Sequence, residues 1–461
     1  RGAPNAFMGR AHPWVLLLLV AGASAEECAA KAGSADGSDA PAEGCGCSSL
    51  KRNAALEQTR NGEESSMGEK APAAVEGAPA DQGAAAARAG GDASAGTPAE
   101  LLWIPGGEFV MGHNDASVSP STFAVDGEGP ARRVAVSGVW MGQTEVSNAQ
   151  WAAFAEATGY KSESERFGWS FVFERELTPA ANASATQSVQ AAPWWIRVDG
   201  ASWRVPDGPG SDALAGERAS HPVVHVSWAD AQTYCAWAYP SGRLPTEAEW
   251  ERAARGPATE APRRYRYPWG KSLVPGGVHR ANIFQGTFPR DNTAEDGYAG
   301  AAPVLAFGPQ NGYGLYNMIG NVWEWVGDYW TTRHQKLRKG DPPLRDPQGP
   351  PRGDERTKKG GSYMCHKSYC HRYRIVARSQ NSEDTGTSNL GFRCAKSGGP
   401  TESWRQSWRE GMTRAPGQAA STTPPTPATP VAAADGAATT ASTTTTTATT
   451  TTAAEARRDE L

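Results

Sequence analysis

The sequence has no aromatic residue between positions 26 and 98, which limits how much of the chain can fold. That stretch is mainly Ala, Gly, Ser, Glu and Asp, residues that bury too little apolar surface to offset the entropy lost on ordering. We therefore predict disorder for residues 26–99, and also for the Thr-, Pro- and Ala-rich residues 397–461. Aromatic side chains are concentrated between Leu101 and Cys394, so one large domain is expected over residues 100–396.

A strong net charge and a long hydrophobic run are also missing. The formal net charge is −4 for 461 residues, which gives no reason to expect nucleic acid or an anionic membrane as a partner. The apolar run at residues 14–21 is too short to span a bilayer, and no membrane span is predicted. Basic residues gather between Arg333 and Lys359, but the Pro and Gly content of that run indicates a solvated loop.

The two ends of the sequence predict a cellular compartment. The apolar run at 14–21, followed by small residues at 23–25, is typical of a secretory signal peptide covering residues 1–25. The ending Arg458 to Leu461 is a close variant of the Lys-Asp-Glu-Leu retrieval signal. We expect the protein in the lumen of the endoplasmic reticulum, where Asn182 of Asn-Ala-Ser is a candidate N-glycosylation site on a surface loop.

Capping patterns predict three helices within the folded region, with N-terminal caps at Ser147, Ser227 and Thr246. Trp250 is expected to anchor the third helix in the core, and Gly256 to end it. From there to the end of the domain the chain is dense in Gly, Pro, Asn and Trp, so we expect short strands joined by long ordered loops. The predicted fold class is α+β, as an irregular, loop-rich single domain with little regular secondary structure.

The stretch from Gly360 to Arg374 carries the densest chemistry, with two cysteines, two histidines, three aromatic rings and three cations. A thiolate is both a nucleophile and a soft metal ligand. Neighbouring cations favour the thiolate over the protonated thiol, so Cys365 and Cys370 are candidates for thiol chemistry. A local disulfide between them is an equally reasonable reading in an oxidising compartment. A zinc site with His366 and His371 is less favoured, because adjacent residues on an extended chain point to opposite faces.

Three segments resemble the sulfatase-modifying-factor domain: Arg243 to Glu251, Gly320 to Trp325, and Gly391 to Cys394. The stretch from Gly360 to Asn381 is similar, more narrowly, to the formylglycine-generating members of that family. The resemblance spans roughly residues 100 to 396. It implies a catalytic domain there with the irregular, C-type-lectin-like fold of the formylglycine-generating type.

The resemblance implies an oxidoreductase that converts a cysteine of nascent sulfatases, in a Cys-x-Pro-x-Arg context, to Cα-formylglycine. It further implies that Cys365 and Cys370 hold Cu(I) and that molecular oxygen is the co-substrate. Ser362 and Tyr369 match positions that line the oxygen and substrate pocket. The positions that match a substrate site are His366, Arg378 and Asn389. For Arg378 an ordinary buried ion pair is an equal alternative.

Two calcium sites are implied by the same resemblance, built from side-chain and carbonyl oxygens as hard cations prefer. The residues that match the first are Asn282, Ile283, Asp296 and Tyr298. The residues that match the second are Asn317, Gly320, Val322 and Glu324, with Asn321 beside them. Without the resemblance, the sequence at Asp296 would indicate a turn and Asn321 a loop residue.

The remaining cysteines also take their roles from the resemblance. Cys235 and Cys394 match the partners of one structural disulfide. A second disulfide of the vertebrate-type enzyme falls at Ala254 and Ile375, so apolar packing is expected to replace it. The N-terminal segment has three more cysteines, which are candidates for thiol-mediated chaperone binding or self-association. These are Cys28, Cys45 and Cys47.

Two other functions compete with the enzyme reading. A non-catalytic luminal relative that binds sulfatases or the active enzyme would keep the fold but lack the cysteine pair, which this chain has at Cys365 and Cys370. An iron-dependent sulfoxide synthase would take a histidine triad from an additional helical domain. The sequence contains no such domain.

Overall fold

The computed structural model describes residues 56–58, 96–114, 125–257 and 265–400. The helices are α1 (Asn148–Thr158), α2 (Glu163–Phe167), α3 (Pro179–Ser184), α4 (Trp228–Ala238) and α5 (Glu247–Ala254). The first strands are β1 (Leu56–Gln58), β2 (Leu101–Ile104), β3 (Gly107–Met111), β4 (Arg132–Val136), β5 (Val139–Gly142), β6 (Trp169–Phe173), β7 (Gln187–Val189), β8 (Ala192–Asp199) and β9 (Gly242–Arg243). The later strands are β10 (Gly286–Thr287), β11 (Asp291–Asn292), β12 (Trp323–Tyr329), β13 (Leu344–Arg345), β14 (Glu355–Lys359), β15 (Arg378–Ser382), β16 (Leu390–Phe392) and β17 (Ala395–Lys396).

The described parts of the chain confirm an α+β fold with short elements. The predicted signal peptide, the three N-terminal cysteines and the C-terminal tail lie outside the described residues. Strand β1 lies within residues 26–99, for which disorder is predicted, and it pairs antiparallel with β7 through Leu56 and Val189. Backbone pairing with a preformed edge can order a short segment that has no aromatic side chain of its own.

The three predicted helix caps are present. The side chains of Ser147, Ser227 and Thr246 each accept a hydrogen bond from the backbone N–H three residues later, and the side chain of that later residue accepts one from the backbone N–H of the cap. These capping boxes satisfy backbone donors that a short helix would otherwise expose. Trp250 of α5 is fully buried, as predicted, and Gly256 adopts the left-handed φ of 71° that ends the helix.

The strands form several small sheets in the described residues. Their orders are β1-β7-β8-β6, β2-β5-β17-β9, β13-β4-β3, β15-β14-β12-β16 and the hairpin β10-β11. Strands β2 and β3, which lie on either side of Gly106, therefore belong to different sheets. The β12 strand pairs antiparallel with β14 and parallel with β16, so three distant parts of the chain meet around it.

The sheet around β12 positions the cysteine-rich stretch. Strands β14 and β15 are antiparallel neighbours, and Lys359 pairs with Arg378 at their ends. The chain between them, residues 360–377, is thus a loop with both ends fixed on one sheet; we call it the cysteine loop. The sequence predicted a solvated loop from Arg333 to Lys359. That prediction is wrong for its last residues, because Glu355–Lys359 form the buried strand β14. Lys359 is 0% exposed there, with Nζ 3.5 Å from Glu247 Oε1 and 3.6 Å from Glu251 Oε2.

The main core lies between α1, α4, α5 and the β12 sheet. Cys235 of α4 and Cys394 form a disulfide whose Cα atoms are 5.4 Å apart, within the range that a disulfide needs. Apolar packing was expected to replace a second disulfide at Ala254 and Ile375. Both residues are buried in this core. Within the described residues, no helix is long and apolar enough to cross a membrane.

Asn182 is exposed, but it lies in the short helix α3 and not in the predicted loop. The reason is local: the Thr178 hydroxyl caps the helix by accepting from Ala181 N, and Pro179 occupies the first helical turn. Glycosylation of Asn182 stays a prediction.

Replacing both Cys235 and Cys394 with alanine is expected to lower the free energy of unfolding by about 4 to 5 kcal/mol, because the bridge closes a very long loop in the unfolded chain. The bridged residues are 159 positions apart. Chemical denaturation of the two proteins measures the difference. Peptide mapping without reductant is the control, and recovery of Cys235 as an alkylated free thiol from native protein would contradict the assignment.

Candidate functional site

Tight turns in the cysteine loop bring its two sulfur atoms together. Cys365 N donates to Ser362 O at 2.8 Å, and Cys370 N donates to His366 O at 2.8 Å. The two Sγ atoms are 3.0 Å apart, and both side chains are 0% exposed. Both cysteines are free thiols, so the structure has the reduced pair and not the local disulfide that spacing alone left open.

Glycine is required where the chain leaves β14. Gly360 and Gly361 have φ values of 93° and 76°, which side chains with a Cβ rarely adopt. A Cβ on Gly361 would also lie 3.0 Å from the Cα of Tyr373. The two glycines let the loop turn back on itself beside Tyr373, which places Ser362 next to the cysteine pair.

Ser362, Asn389 and Cys365 form one hydrogen-bonded group. Asn389 Nδ2 donates to Ser362 Oγ at 2.9 Å, and the Ser362 backbone N–H donates to Cys365 Sγ at 3.4 Å. Ser362 and Asn389 are 0% and 1% exposed. The structure therefore links the predicted catalytic serine to the sulfur of Cys365 through its backbone N–H, and the predicted substrate-site asparagine to that serine through its side chain.

Tyr369 lies on the half-exposed side of the loop, among aromatic rings. Its ring stacks on Phe288 with centroids 4.5 Å apart and meets the edge of Trp194 at 4.8 Å. All three side chains are partly exposed, so they offer an apolar surface to a ligand near the cysteines. Sequence reasoning missed Trp194 and Phe288, since both are remote in the chain and stand out from the other aromatic residues by no local signal.

The histidines do not complete a zinc site with the cysteines. Ser368 N donates to His366 Nδ1 at 3.2 Å, so Nδ1 is an acceptor and the ring proton lies on Nε2. Burial, and then the charge of Lys367, lower the pKa of His366, which favours the neutral ring. His371 packs against Tyr373, with ring centroids 4.9 Å apart. In the described ranges, no three His, Cys, Asp or Glu side chains gather as a metal site, which argues against the four-ligand zinc hypothesis.

Buried arginine–carboxylate pairs connect the cysteine loop to a distant part of the chain. Arg372 donates to Asp126 at 2.6 and 3.1 Å, and Arg374 donates to Glu128 at 2.7 Å through each of two nitrogens. Each pair spans 246 residues. Sequence reasoning missed both carboxylates, since nothing near Asp126 or Glu128 in the sequence indicates partners so far away.

Arg378 makes a third pair of this kind. Its Nε and Nη2 donate to Glu247 at 2.7 Å each, and its side chain is 3% exposed. Burial would raise the pKa of Glu247, but Arg378 and Lys359 outweigh it and hold that pKa well below its usual range. These contacts support the alternative of a buried ion pair for Arg378 and show no role in substrate binding.

The residues of the first predicted calcium site lie together. Asp296 Oδ2 accepts from Ile283 N at 2.9 Å, and Asp296 Oδ1 accepts from Tyr298 N at 3.1 Å. The Asn282 Oδ1 is a buried acceptor that has no hydrogen-bond partner. A buried carboxylate that accepts from the residue after Asn282, together with the unsatisfied amide oxygen of Asn282, is a donor set that fits a hard cation.

The second predicted calcium site also has an unsatisfied buried amide oxygen, and it includes a carboxylate that the sequence did not predict. Asn317 Oδ1 is again a buried acceptor without a partner. The fully buried Glu145 lies beside it, 3.0 Å from Nδ2 of Asn317 and 3.0 Å from Nδ2 of Asn321. Burial raises the pKa of Glu145 to about 8, opposed by Arg393 and reinforced by Glu324. Glu324 is also held by Arg393, at 2.6 and 2.7 Å.

Backbone hydrogen bonds connect both predicted calcium sites to the cysteine loop. Tyr363 N donates to Asn321 O at 2.8 Å, and Phe284 N donates to Cys365 O at 3.1 Å. Asn321 N in turn donates to Asn282 O at 2.9 Å. The loop positions of the two sites therefore set the position of the peptide that carries Cys365.

Comparison with known proteins adds to this geometry. Residues 86–398 match the Sulfatase-modifying factor enzyme 1-like domain. The chain is 52% identical to the formylglycine-generating enzyme of Bos taurus over 66% of this chain and 76% of that protein. It is 52% identical to the formylglycine-generating enzyme of Thermomonospora curvata over 63% of this chain and 91% of that protein.

A relative with another description matches less closely. It is the inactive Cα-formylglycine-generating enzyme 2 of Bos taurus, 40% identical over 66% of this chain and 90% of that protein. The matched region contains the β12 sheet, the cysteine loop and the loops that brace it. The chain therefore belongs to the sulfatase-modifying factor family.

Proposed function

We propose that this protein is a formylglycine-generating oxidase that converts a cysteine of sulfatase polypeptides to Cα-formylglycine. The observation that carries the proposal is the pair of buried, reduced thiols of Cys365 and Cys370, 3.0 Å apart on a braced loop. The alternative, a non-catalytic relative that only binds sulfatases or the active enzyme, gives no reason for such a pair. The similarity to formylglycine-generating enzymes, at 52% identity, exceeds the similarity to the inactive relative, at 40%.

The residues fit Cu(I) as the metal of this site. Two thiolates close enough to share one ion form a soft donor set, which selects Cu(I) among the metals of cells. Bound there, Cu(I) supplies an electron-rich centre that reacts with molecular oxygen. The chain itself holds the two sulfurs out of water, and Ser362 with Asn389 positions polar groups beside Cys365.

The overall change requires a reductant. Oxidation of the substrate CH₂–SH group to an aldehyde by O₂, with release of H₂S and one water, consumes two further electrons and two protons. A thiol reductant can supply both. The aromatic surface of Tyr369, Phe288 and Trp194 lies where a peptide would approach, and it suits the proline of a Cys-x-Pro-x-Arg substrate.

Calcium is proposed for the two oxygen-rich sites. Each combines a buried carboxylate with a buried amide oxygen that lacks a partner, at Asp296 with Asn282 and at Glu145 with Asn317. A divalent cation would satisfy those oxygens and neutralise buried negative charge. Because these sites hold the cysteine loop through the backbone, calcium would act on the position of Cys365.

The endoplasmic reticulum lumen is the proposed location, and unfolded sulfatases are the proposed partners. The Cys235–Cys394 disulfide is consistent with an oxidising compartment. Further partners that bind through Cys28, Cys45 or Cys47 are part of the proposal.

The purified protein, with Cu(I), oxygen and a thiol reductant, is expected to convert a peptide containing Cys-Thr-Pro-Ser-Arg to the aldehyde. Mass spectrometry follows the change in peptide mass. Serine at Cys365 or Cys370 should abolish turnover, because one thiolate cannot replace the pair. No turnover by copper-loaded wild-type protein would remove the enzyme function, and a fully active serine variant would contradict the two-thiolate site.

Removal of calcium with a chelator is expected to lower the melting temperature, because buried oxygens lose their ligand. Asn317→Ala should reduce this calcium-dependent shift, measured by thermal denaturation with and without calcium. Asn148→Ala is the matched control: Asn148 is also buried with an unpartnered Oδ1, but it lies outside both sites. Equal shifts in the two variants would be evidence against the second site.

Deletion of residues 458–461 is expected to release the protein into the medium of cells that express it, because the retrieval signal is lost. Immunoblotting of medium and cells measures the distribution. Substitution of residues 454–457 by glycine is the control, and secretion that is the same with and without the last four residues would show that retention depends on another feature.

A further inference from the structure

The Arg372 side chain reaches an active-site sulfur from a fixed position. Its Nε and Nη2 donate to Asp126 Oδ2 and Oδ1 at 2.6 and 3.1 Å, while its Nη1 donates to Cys370 Sγ at 3.9 Å. The side chains of Arg372 and Asp126 are 1% and 8% exposed. Because the guanidinium is planar and the carboxylate holds two of its nitrogens, Asp126 determines the direction of Nη1.

The two sulfurs differ in the donors that approach them. Cys365 Sγ accepts from the backbone N–H of Ser362 at 3.4 Å, which is a neutral donor. Cys370 Sγ accepts from a guanidinium, which carries a full positive charge. A separation of 3.9 Å is long even for a hydrogen bond to sulfur, so the attraction between Arg372 and Cys370 is mainly electrostatic.

The charge of the site makes this contact significant. Two thiolates and one Cu(I) leave a net charge of minus one, and the sulfurs are 0% exposed. A buried net charge is unfavourable unless a group of opposite sign compensates it. Lys367 is exposed and its charge is solvated. Arg372 is buried, and although its pair with Asp126 is neutral as a whole, the positive end of the pair faces the sulfur.

We propose that Arg372, oriented by Asp126, is a positioning residue that stabilises the negatively charged pair of thiolates with Cu(I) by acting on Cys370. The inference rests on the copper site of the proposed function and deepens it by naming a residue that controls how tightly the metal is held. Groups that contact a metal ligand from the next layer typically change metal affinity 10- to 100-fold when they are substituted.

The test measures the Cu(I) affinity of the full chain, reduced and without oxygen, by competition with a chromophoric Cu(I) chelator. Arg372→Gln is expected to raise the Kd for Cu(I) about 10- to 100-fold. Arg374→Gln is the matched control, because Arg374 is buried in the same loop and pairs with Glu128 in the same way, at 2.7 Å. The Nε of Arg374 donates to the carbonyl oxygen of His371 at 2.7 Å, and not to the sulfur of Cys370.

A second pair of variants covers the case in which an arginine variant does not fold. Asp126→Asn keeps the cation but loosens its direction, and is expected to weaken Cu(I) binding several-fold. Glu128→Gln, which changes the partner of Arg374, measures the loss of affinity that comes from disturbing the loop alone, and that loss should be smaller than the loss in Asp126→Asn. Melting temperatures of all variants show whether each one is folded.

The possible outcomes separate the inference from the proposed function. Equal Cu(I) affinity of Arg372→Gln and the wild type, or equal weakening by Arg372→Gln and Arg374→Gln, would overturn the inference and leave the copper site intact. The same holds if Asp126→Asn and Glu128→Gln weaken binding equally. A wild-type chain that binds no Cu(I) would overturn the copper site, and the inference with it. Weaker Cu(I) binding that is confined to the Arg372 and Asp126 variants supports the inference.

Discussion

Buried arginine–carboxylate pairs are the constraint on which the rest of the site depends. The pairs of Arg372, Arg374 and Arg378 with Asp126, Glu128 and Glu247 fix the cysteine loop to other parts of the chain. Such pairs contribute little net stability, but loss of one partner costs about 3 to 5 kcal/mol because a buried charge is left alone. Their effect is therefore on geometry: the loop has few alternative positions in which every charge is paired.

A second set of constraints acts through backbone atoms. Asn321 O accepts from Tyr363 N of the loop, and Asn321 N donates in turn to Asn282 O; Phe284 N donates to Cys365 O. The side chains of the same asparagines belong to the oxygen-rich sites, so the proposed cation binding would share residues with the contacts that position the loop. The cysteine loop is thus held both by charged pairs and by backbone contacts to the oxygen-rich loops, whereas the aromatic side chains around Tyr369 are partly exposed.

Local signals allowed much of the fold to be predicted. The capping boxes at Ser147, Ser227 and Thr246 were readable because cap and partner are three residues apart. The burial of Lys359 could not be predicted, because its carboxylate partners lie on α5 and a basic residue near Pro and Gly is usually solvated. The cysteine pair stood out from composition, whereas Asp126 and Glu145 act through contacts that only the folded chain creates.

The long range of the Asp126–Arg372 contact bears on how the protein folds. Its partners are separated by 246 residues, and chains that depend on such distant contacts fold slowly. Before the chain is folded, the thiols of Cys365 and Cys370 are exposed, whereas both are 0% exposed in the finished structure. During that interval they can exchange with other thiols and disulfides, including those of Cys235 and Cys394. The two cysteines are therefore protected only once the fold that buries them is complete.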